Sequence, residues 1–409
     1  MTTGRRPPPE ELPLPAGPRR PADPSPADPS PAGRSTALVA LIRAEIDGSP
    51  ERRITFASFM ELALYEPRLG YYRQAADRPT DAGDFLTAPE THPIFGWTIA
   101  RRIELMWAEF GRPDPFSLIE YGAGSGTLAV AIFEGMRRHG ADDLVAAIRY
   151  EPVESNPHRL ADLRRRFDKA GFGGNLSAIG ASSEGSVPVT GVLLANEFLD
   201  AMPVHKIVAR RGELLELFVE WRDGFVEIPA PLSTPALARR LIDDGSDPSG
   251  LADGQSGEIC LGLEPWLDEV ASRLARGYVL AIDYGYEAAE LYGPRHFAGT
   301  LLGYRGHRVV DDPFTDPGLV DLTAHVDFTA LQVLGERRGL RSTALTTQSE
   351  FLVASGIESE LRVLQESRTT TAEEYLRARS GIVRMLDPRH MGRFRVLELR
   401  REAPSGPIG

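Results

Sequence analysis

Four carboxylates in this 409-residue chain stand where an apolar run gives way to polar or glycine residues: Glu120, Glu154, Glu197 and Asp283. A buried strand end is an expensive place for an acid with no partner, so such residues read as ligand holders. Asp200 follows Glu197 closely, Asn196 precedes it, and His325 stands later in Asp321-Leu-Thr-Ala-His-Val-Asp-Phe328. The most organised of these places is Phe116-Ser-Leu-Ile-Glu-Tyr-Gly-Ala-Gly-Ser-Gly-Thr127. Gly122, Gly124 and Gly126 permit a tight turn and the close approach of a ligand. A helix from about Leu128 to Arg138 would follow and offer the free N–H groups of its first turn. Dinucleotide enzymes use G-x-G-x-x-G at such a turn. Here the third glycine comes one residue early and an acid precedes the turn, which suits a cationic ligand better than a pyrophosphate and weakens a nicotinamide dehydrogenase reading.

The elements that must position these residues follow from periodicity. Residues 1–34 are dense in proline and read as a disordered tail. Ser35 or Thr36 caps a first helix, and Thr55 a second in which Phe56, Phe59, Met60 and Ala63 share a face. Another helix runs from about Pro93 to Phe110. After the glycine turn and its helix, residues 145–154 read as a strand ending at Glu154, with Glu151 a rival acid, and His158 to Ala170 as a helix. Residues 191–196 and 277–283 read as buried strands with polar ends, and residues 213–228 as an antiparallel hairpin. Residues 229–257 read as an insertion loop with a short helix. A helix from Phe328 to Arg338 and strand-like stretches at 340–348 and 394–400 complete the pattern. The sum is an α/β fold, a doubly wound, mostly parallel sheet. The plan is a tail (1–34), an N-terminal helical region (35–110) and a main domain (111–400) with an insertion at about 209–260, then a short flexible tail (401–409).

A net charge of −12 argues against broad nucleic-acid binding. No apolar run is long enough for a membrane span. Cys260 is the one cysteine, which leaves no intrachain disulfide and no cysteine metal cluster. The N-terminus lacks the apolar core of a secretory signal, and a cytoplasmic enzyme is the expectation.

Glu120-x-Gly-x-Gly-x-Gly126 resembles motif I of class I S-adenosylmethionine (SAM) methyltransferases. Over residues 50–400 the chain resembles the MidA-type SAM-dependent methyltransferases, whose mitochondrial members are arginine methyltransferases needed for complex I assembly. The matching stretches include Gly83-Asp-Phe-Leu-Thr-Ala-Pro-Glu90, Val153-Glu-Ser-Asn-Pro157, Ala195-Asn-Glu-Phe-Leu-Asp-Ala-Met-Pro-Val-His205, Ile282-Asp-Tyr-Gly285 and Asp321-Leu-Thr-Ala-His-Val-Asp-Phe328. The resemblance implies a seven-strand Rossmann-like methyltransferase sheet with the final strand antiparallel, and S-adenosyl-L-methionine as cofactor. Glu120 and the glycines would hold its methionyl end, Glu154 its ribose, and Asn196 would lie beside it. Gly83, Asp84 and Phe85 would form a lid or wall, and residues 179–184 could contribute to the adenine pocket. The acceptor would be a protein arginine, for example on a respiratory-complex subunit, or else a small molecule. A SAM-binding assembly factor without catalysis is a further reading. A guanidinium arrives charged, with a pKa of about 13.8. Glu197 would hold it, with Asp200, Asp283 or Asp327 as second carboxylate, and His325 would take the released proton. Asn196, Asp200 and Asp327 also read as helix caps, and His325 as a structural histidine. The Pro-rich head does not look like a mitochondrial transit peptide, which implies a bacterial member.

Overall fold

The computed structural model describes residues 30–74, 88–177, 187–306 and 308–402. At its centre is a six-stranded sheet in the order Ile148–Val153, Phe116–Tyr121, Val189–Asn196, Leu274–Asp283, Arg395–Arg401, Arg341–Thr347. The first four strands are parallel, and Arg395–Arg401 runs antiparallel to both of its neighbours. Among the described residues the sheet holds six of the seven strands expected. Beyond Ile148–Val153 the described chain adds only a parallel bridge between Tyr150 and Leu176.

Side-chain alternation divides the core. Phe116, Leu118, Val192, Leu194, Leu280 and Ile282 face one side, against the helices Ile94–Glu109, Thr127–Arg138 and Pro157–Ala170. The same side carries the helices Gln348–Ala354, Ile357–Glu366 and Ala372–Leu386, three elements not anticipated from the sequence. Ile119, Leu193, Ala195, Val279, Ala281 and Leu397 face the other side, against Leu263–Arg273 and Phe328–Arg337. Helices on both faces force the strands to be apolar throughout, so their polar ends stand out.

A second, antiparallel sheet joins Arg53–Thr55, Glu213–Trp221, His205–Arg210 and Ser256–Ile259, with Phe225–Ala230 also paired to Glu213–Trp221. The expected hairpin is there, and the short helix of the insertion is Ala236–Asp243. The helices Pro31–Gly48 and Phe56–Tyr65 pack on this sheet through Leu38, Ile42, Phe56 and Phe59.

Some boundaries differ from expectation. The first helix starts at Pro31, capped by Ser30, so residues 30–34 belong to the folded body and not to a tail. Proline is tolerated at a first helical position, where its missing N–H has no partner to lose. Trimming the chain at residue 34 removes this cap and first turn, with an expected cost of about 1 kcal/mol, or roughly 2–4 °C in melting temperature. An unchanged melting temperature for the 35–409 fragment would show that the turn carries no stability. Residues 142–147, partly read as strand, form the helix Asp142–Ala147, with Asp142 and Asp143 in its first turn. Thr55 caps the helix Phe56–Tyr65 as expected.

Candidate functional site

The polar ends of the parallel strands meet at one edge of the sheet, the place where open α/β folds bind ligands. The turn after Phe116–Tyr121 is pinned to the next strand: Gly122 N and Ala123 N both donate to Val153 O, at 2.9 and 3.3 Å. All three glycines have positive φ, +68°, +54° and +80°. Their surroundings differ. A Cβ on Gly126 would lie 2.7 Å from Leu163 Cγ, so that position serves helix packing. Among the described residues, a Cβ on Gly124 would meet only Gly122 O, at 3.9 Å, so the backbone there faces open space among them. That is the cradle a ligand needs.

Glu120 is 4% exposed, and its Oε2 accepts a 2.5 Å hydrogen bond from Tyr150. Burial pushes its pKa up to about 7. Glu154 closes the other side of the turn: its carboxylate accepts from Gly124 N at 3.0 Å and from Asn156 N at 2.7 Å. Asn156 in turn caps the helix Pro157–Ala170 and donates to Tyr72 O and Gln74 O, which ties the N-terminal region to this edge. The rival acid, Glu151, is taken by Arg273 in a 2.5 Å ion pair with a buried guanidinium.

At the end of Val189–Asn196 the backbone does something unusual. Glu197 has φ +49°, a left-handed conformation that a residue with a Cβ enters at a cost of about 1–2 kcal/mol. Its N–H still donates to Ile282 O at 2.8 Å, so the strain redirects the side chain without breaking the ladder. The carboxylate accepts from Ala88 N and Asn196 Nδ2, both at 3.4 Å, and from Tyr284 hydroxyl at 3.3 Å. All three contacts are long for hydrogen bonds, so the group is caged but not saturated. Burial and the neighbouring Asp283 push its pKa up to about 8. Asn196 Oδ1 is buried beside it without a hydrogen-bond partner among the described residues.

Asp283 is the opposite case. It is fully buried, with Oδ2 accepting from Phe198 N, Leu199 N and Asp200 N, and Oδ1 from Tyr284 N. Four backbone donors leave it little to offer a substrate, and they hold the turn that presents Glu197. Burial raises its pKa to about 7. Asp200, 6% exposed, lies near Glu197, Asp283 and Asp321, and burial followed by Asp283 raises its pKa well above the carboxylate range. Asp327 caps the helix Phe328–Arg337 through Ala330 N.

His325 does not touch Glu197. It stacks on Tyr284 at 6.3 Å between ring centroids and lines a shallow cleft with Tyr284, Gly285, Tyr286, Arg393 and Phe394. Burial, then Arg393 and His296, lowers its pKa to about 4, which makes it a poor proton acceptor. Gly83, Asp84 and Phe85, and residues 179–184, lie outside the described residues.

Tyr150, Asn156 and Tyr284, which contact these groups, and Arg393, which lines the cleft, were not singled out in the sequence. Tyr284 adjoins Asp283 in the quoted Ile282-Asp-Tyr-Gly285, and Tyr150 shares the strand alternation of Ile148 and Pro152, so both carried a signal. Arg393 had none.

Raised carboxyl pKa values have a consequence for the ligand-free protein. Between the unfolded values near 4 and the folded values of about 7–8, the folded chain binds more protons than the unfolded chain. Stability from this source is therefore full at the acidic end and lost as pH rises through about 8. Thermal melts from pH 5 to 8.5 should show a falling melting temperature, and a flat profile would mean that the three carboxyls are not desolvated as the structure shows.

Residues 98–346 match the family described as "Putative S-adenosyl-L-methionine-dependent methyltransferase". The mouse mitochondrial protein arginine methyltransferase NDUFAF7 is 28% identical over 371 residues, covering 83% of this chain and 79% of that protein. The human protein of that name is 27% identical over 364 residues, covering 83% and 78%. A crystal structure from Burkholderia thailandensis, with S-adenosyl-homocysteine bound, is 30% identical with a TM-score of 0.80, covering 94% of this chain and 97% of that one. The mitochondrial location in the names of the mouse, human and Drosophila relatives overturns the expectation of a cytoplasmic protein.

Proposed function

This chain belongs to the SAM-dependent methyltransferase family, and we propose that it methylates an arginine side chain of a protein. SAM is its cofactor. The residues at this edge of the sheet fit that group: among the described residues there is open space over Gly124, a buried acid at Glu120, and an unpartnered Asn196 Oδ1 at the end of the next strand. Glu120 and the turn hold its methionyl end, and Glu154 holds its ribose. When bound, SAM supplies a methyl group carried on a positively charged sulfur. We further read the sheet as the seven-strand, doubly wound form, with Leu176 at the seventh position beside Tyr150.

The observation that carries the acceptor assignment is Glu197, an unsaturated carboxylate held in strained backbone at a strand end. A guanidinium supplies the short, charge-assisted hydrogen bonds that Glu197 lacks. Asp200 is the second carboxylate of the site, and Asp283 positions both through the backbone N–H groups it holds. A guanidinium nitrogen that gains a methyl group loses a proton. Glu197, with a pKa of about 8, accepts that proton far better than an ordinary carboxylate would. His325 shapes the wall of the cleft instead. The NDUFAF7 names of the relatives support arginine as the acceptor. Incubation with isotopically labelled SAM and cell lysate, followed by mass spectrometry, tests this: label should appear as N-methylarginine in protein, and label on small molecules alone would sink the reading.

A further inference from the structure

The cleft beside the acceptor site carries a charge of the wrong sign for a guanidinium. Tyr284 is the shared wall: its hydroxyl donates to Glu197, while its ring packs on Phe394 at 4.1 Å and on His325 at 6.3 Å. Arg393, next to Phe394, lines the same cleft and is exposed. Among the described residues no carboxylate pairs with Arg393, so its charge is free to meet a ligand in this cleft. Its neighbours are aromatic or histidine, and His325 is held neutral partly by its charge. Arg393 therefore sets a positive charge in the cleft that shares Tyr284 with the acidic acceptor site.

On the reading of the site as an arginine acceptor site, we infer that Arg393 is a specificity determinant that binds a carboxylate of the protein substrate close in sequence to the methylated arginine. A segment lying across Tyr284 places its arginine at Glu197 and its neighbours over Arg393. Tyr284 touches Glu197 and also lines the cleft that Arg393 lines, so a few residues of extended chain, at about 3.3–3.6 Å each, pass from one to the other. The flank is therefore acidic, and basic flanks are rejected by like charge. The neutral His325 adds no second cation, so the preference is set by one residue that can be reversed.

The test compares the wild-type protein with Arg393→Glu and Arg393→Gln, each supplied with labelled SAM and cell lysate, with methylated sites mapped by mass spectrometry and flank charge scored against unmethylated arginines of the same proteins. Wild type should favour sites with Asp or Glu within about three residues by roughly threefold or more, the scale of one exposed charge pair. Arg393→Gln should lose that bias, and Arg393→Glu should reverse it towards Lys and Arg flanks. Arg393 is at the surface, and calorimetry should return unchanged SAM affinity in both variants. Methylarginine without a flank bias in wild type, or with the same bias in all three proteins, overturns the inference while the arginine reading stands. If no methylarginine appears with wild type, the arginine reading falls and this inference falls with it.

Discussion

Glu197→Gln should leave SAM affinity within about threefold of wild type and lower kcat by about 10² or more, the usual loss when one preorganised electrostatic contact to a transition state is removed. The cofactor contacts assigned here lie on Glu120, the glycine turn and Glu154, and none requires the Glu197 charge. The substitution is nearly isosteric: the amide oxygen still accepts from Ala88 N, and the amide nitrogen donates to the Tyr284 hydroxyl oxygen. What disappears is the negative charge and the site for the departing proton. A second signature follows from the raised pKa. In the wild type, kcat/KM should climb with pH up to about 8, where free Glu197 ionises, and the variant should lack that limb. Near wild-type turnover in Glu197→Gln would make it a structural acid and move the acceptor to another carboxylate. Loss of SAM binding together with activity would place Glu197 in the cofactor site and remove the main support for an arginine acceptor.

Gly124→Val should abolish measurable SAM binding, a loss of about 10² or more in affinity, in a protein that still folds. The first isopropyl carbon would stand in the open space above the turn, where the cofactor is expected. The φ of +54° adds strain of about 1–2 kcal/mol, so a lower melting temperature is expected as well. Gly126→Val separates the two effects: its side chain would enter Leu163, and its damage should be to folding first. Calorimetry on the folded Gly124→Val protein is decisive, because retained affinity would show that the ligand does not cross this turn.

The glycine turn was legible because strand, turn and helix are adjacent in the chain and each has a local signal. The Asp142–Ala147 helix was not, since Val145-Ala-Ala-Ile148 is a short apolar run that suits strand or helix equally. The strand Arg53–Thr55 escaped notice because only Phe218, Val219 and Glu220, far along the chain, make it one. The choice between Glu151 and Glu154 also rested on a distant residue: Arg273 takes the first and leaves the second at the turn. Asp283 looked as available as Glu197, and only the four converging N–H groups distinguish them. Carboxylate type and strand-end position are written in the sequence, whereas saturation of hydrogen-bonding capacity is a property of the folded chain.

The place of Arg395–Arg401 between Leu274–Asp283 and Arg341–Thr347 bears on how the protein is made. Every other strand of that sheet leaves the ribosome first. Until the last one arrives, Leu274–Asp283 presents a long, apolar edge whose N–H and C=O groups have no partner on that side. At about 5–20 residues per second, the exposure lasts on the order of ten seconds. A nascent chain stalled in this interval holds its motif-bearing strands already paired, yet cannot close the sheet. Chaperone demand during synthesis should therefore concentrate late, after Asp283 emerges and before Arg401 does.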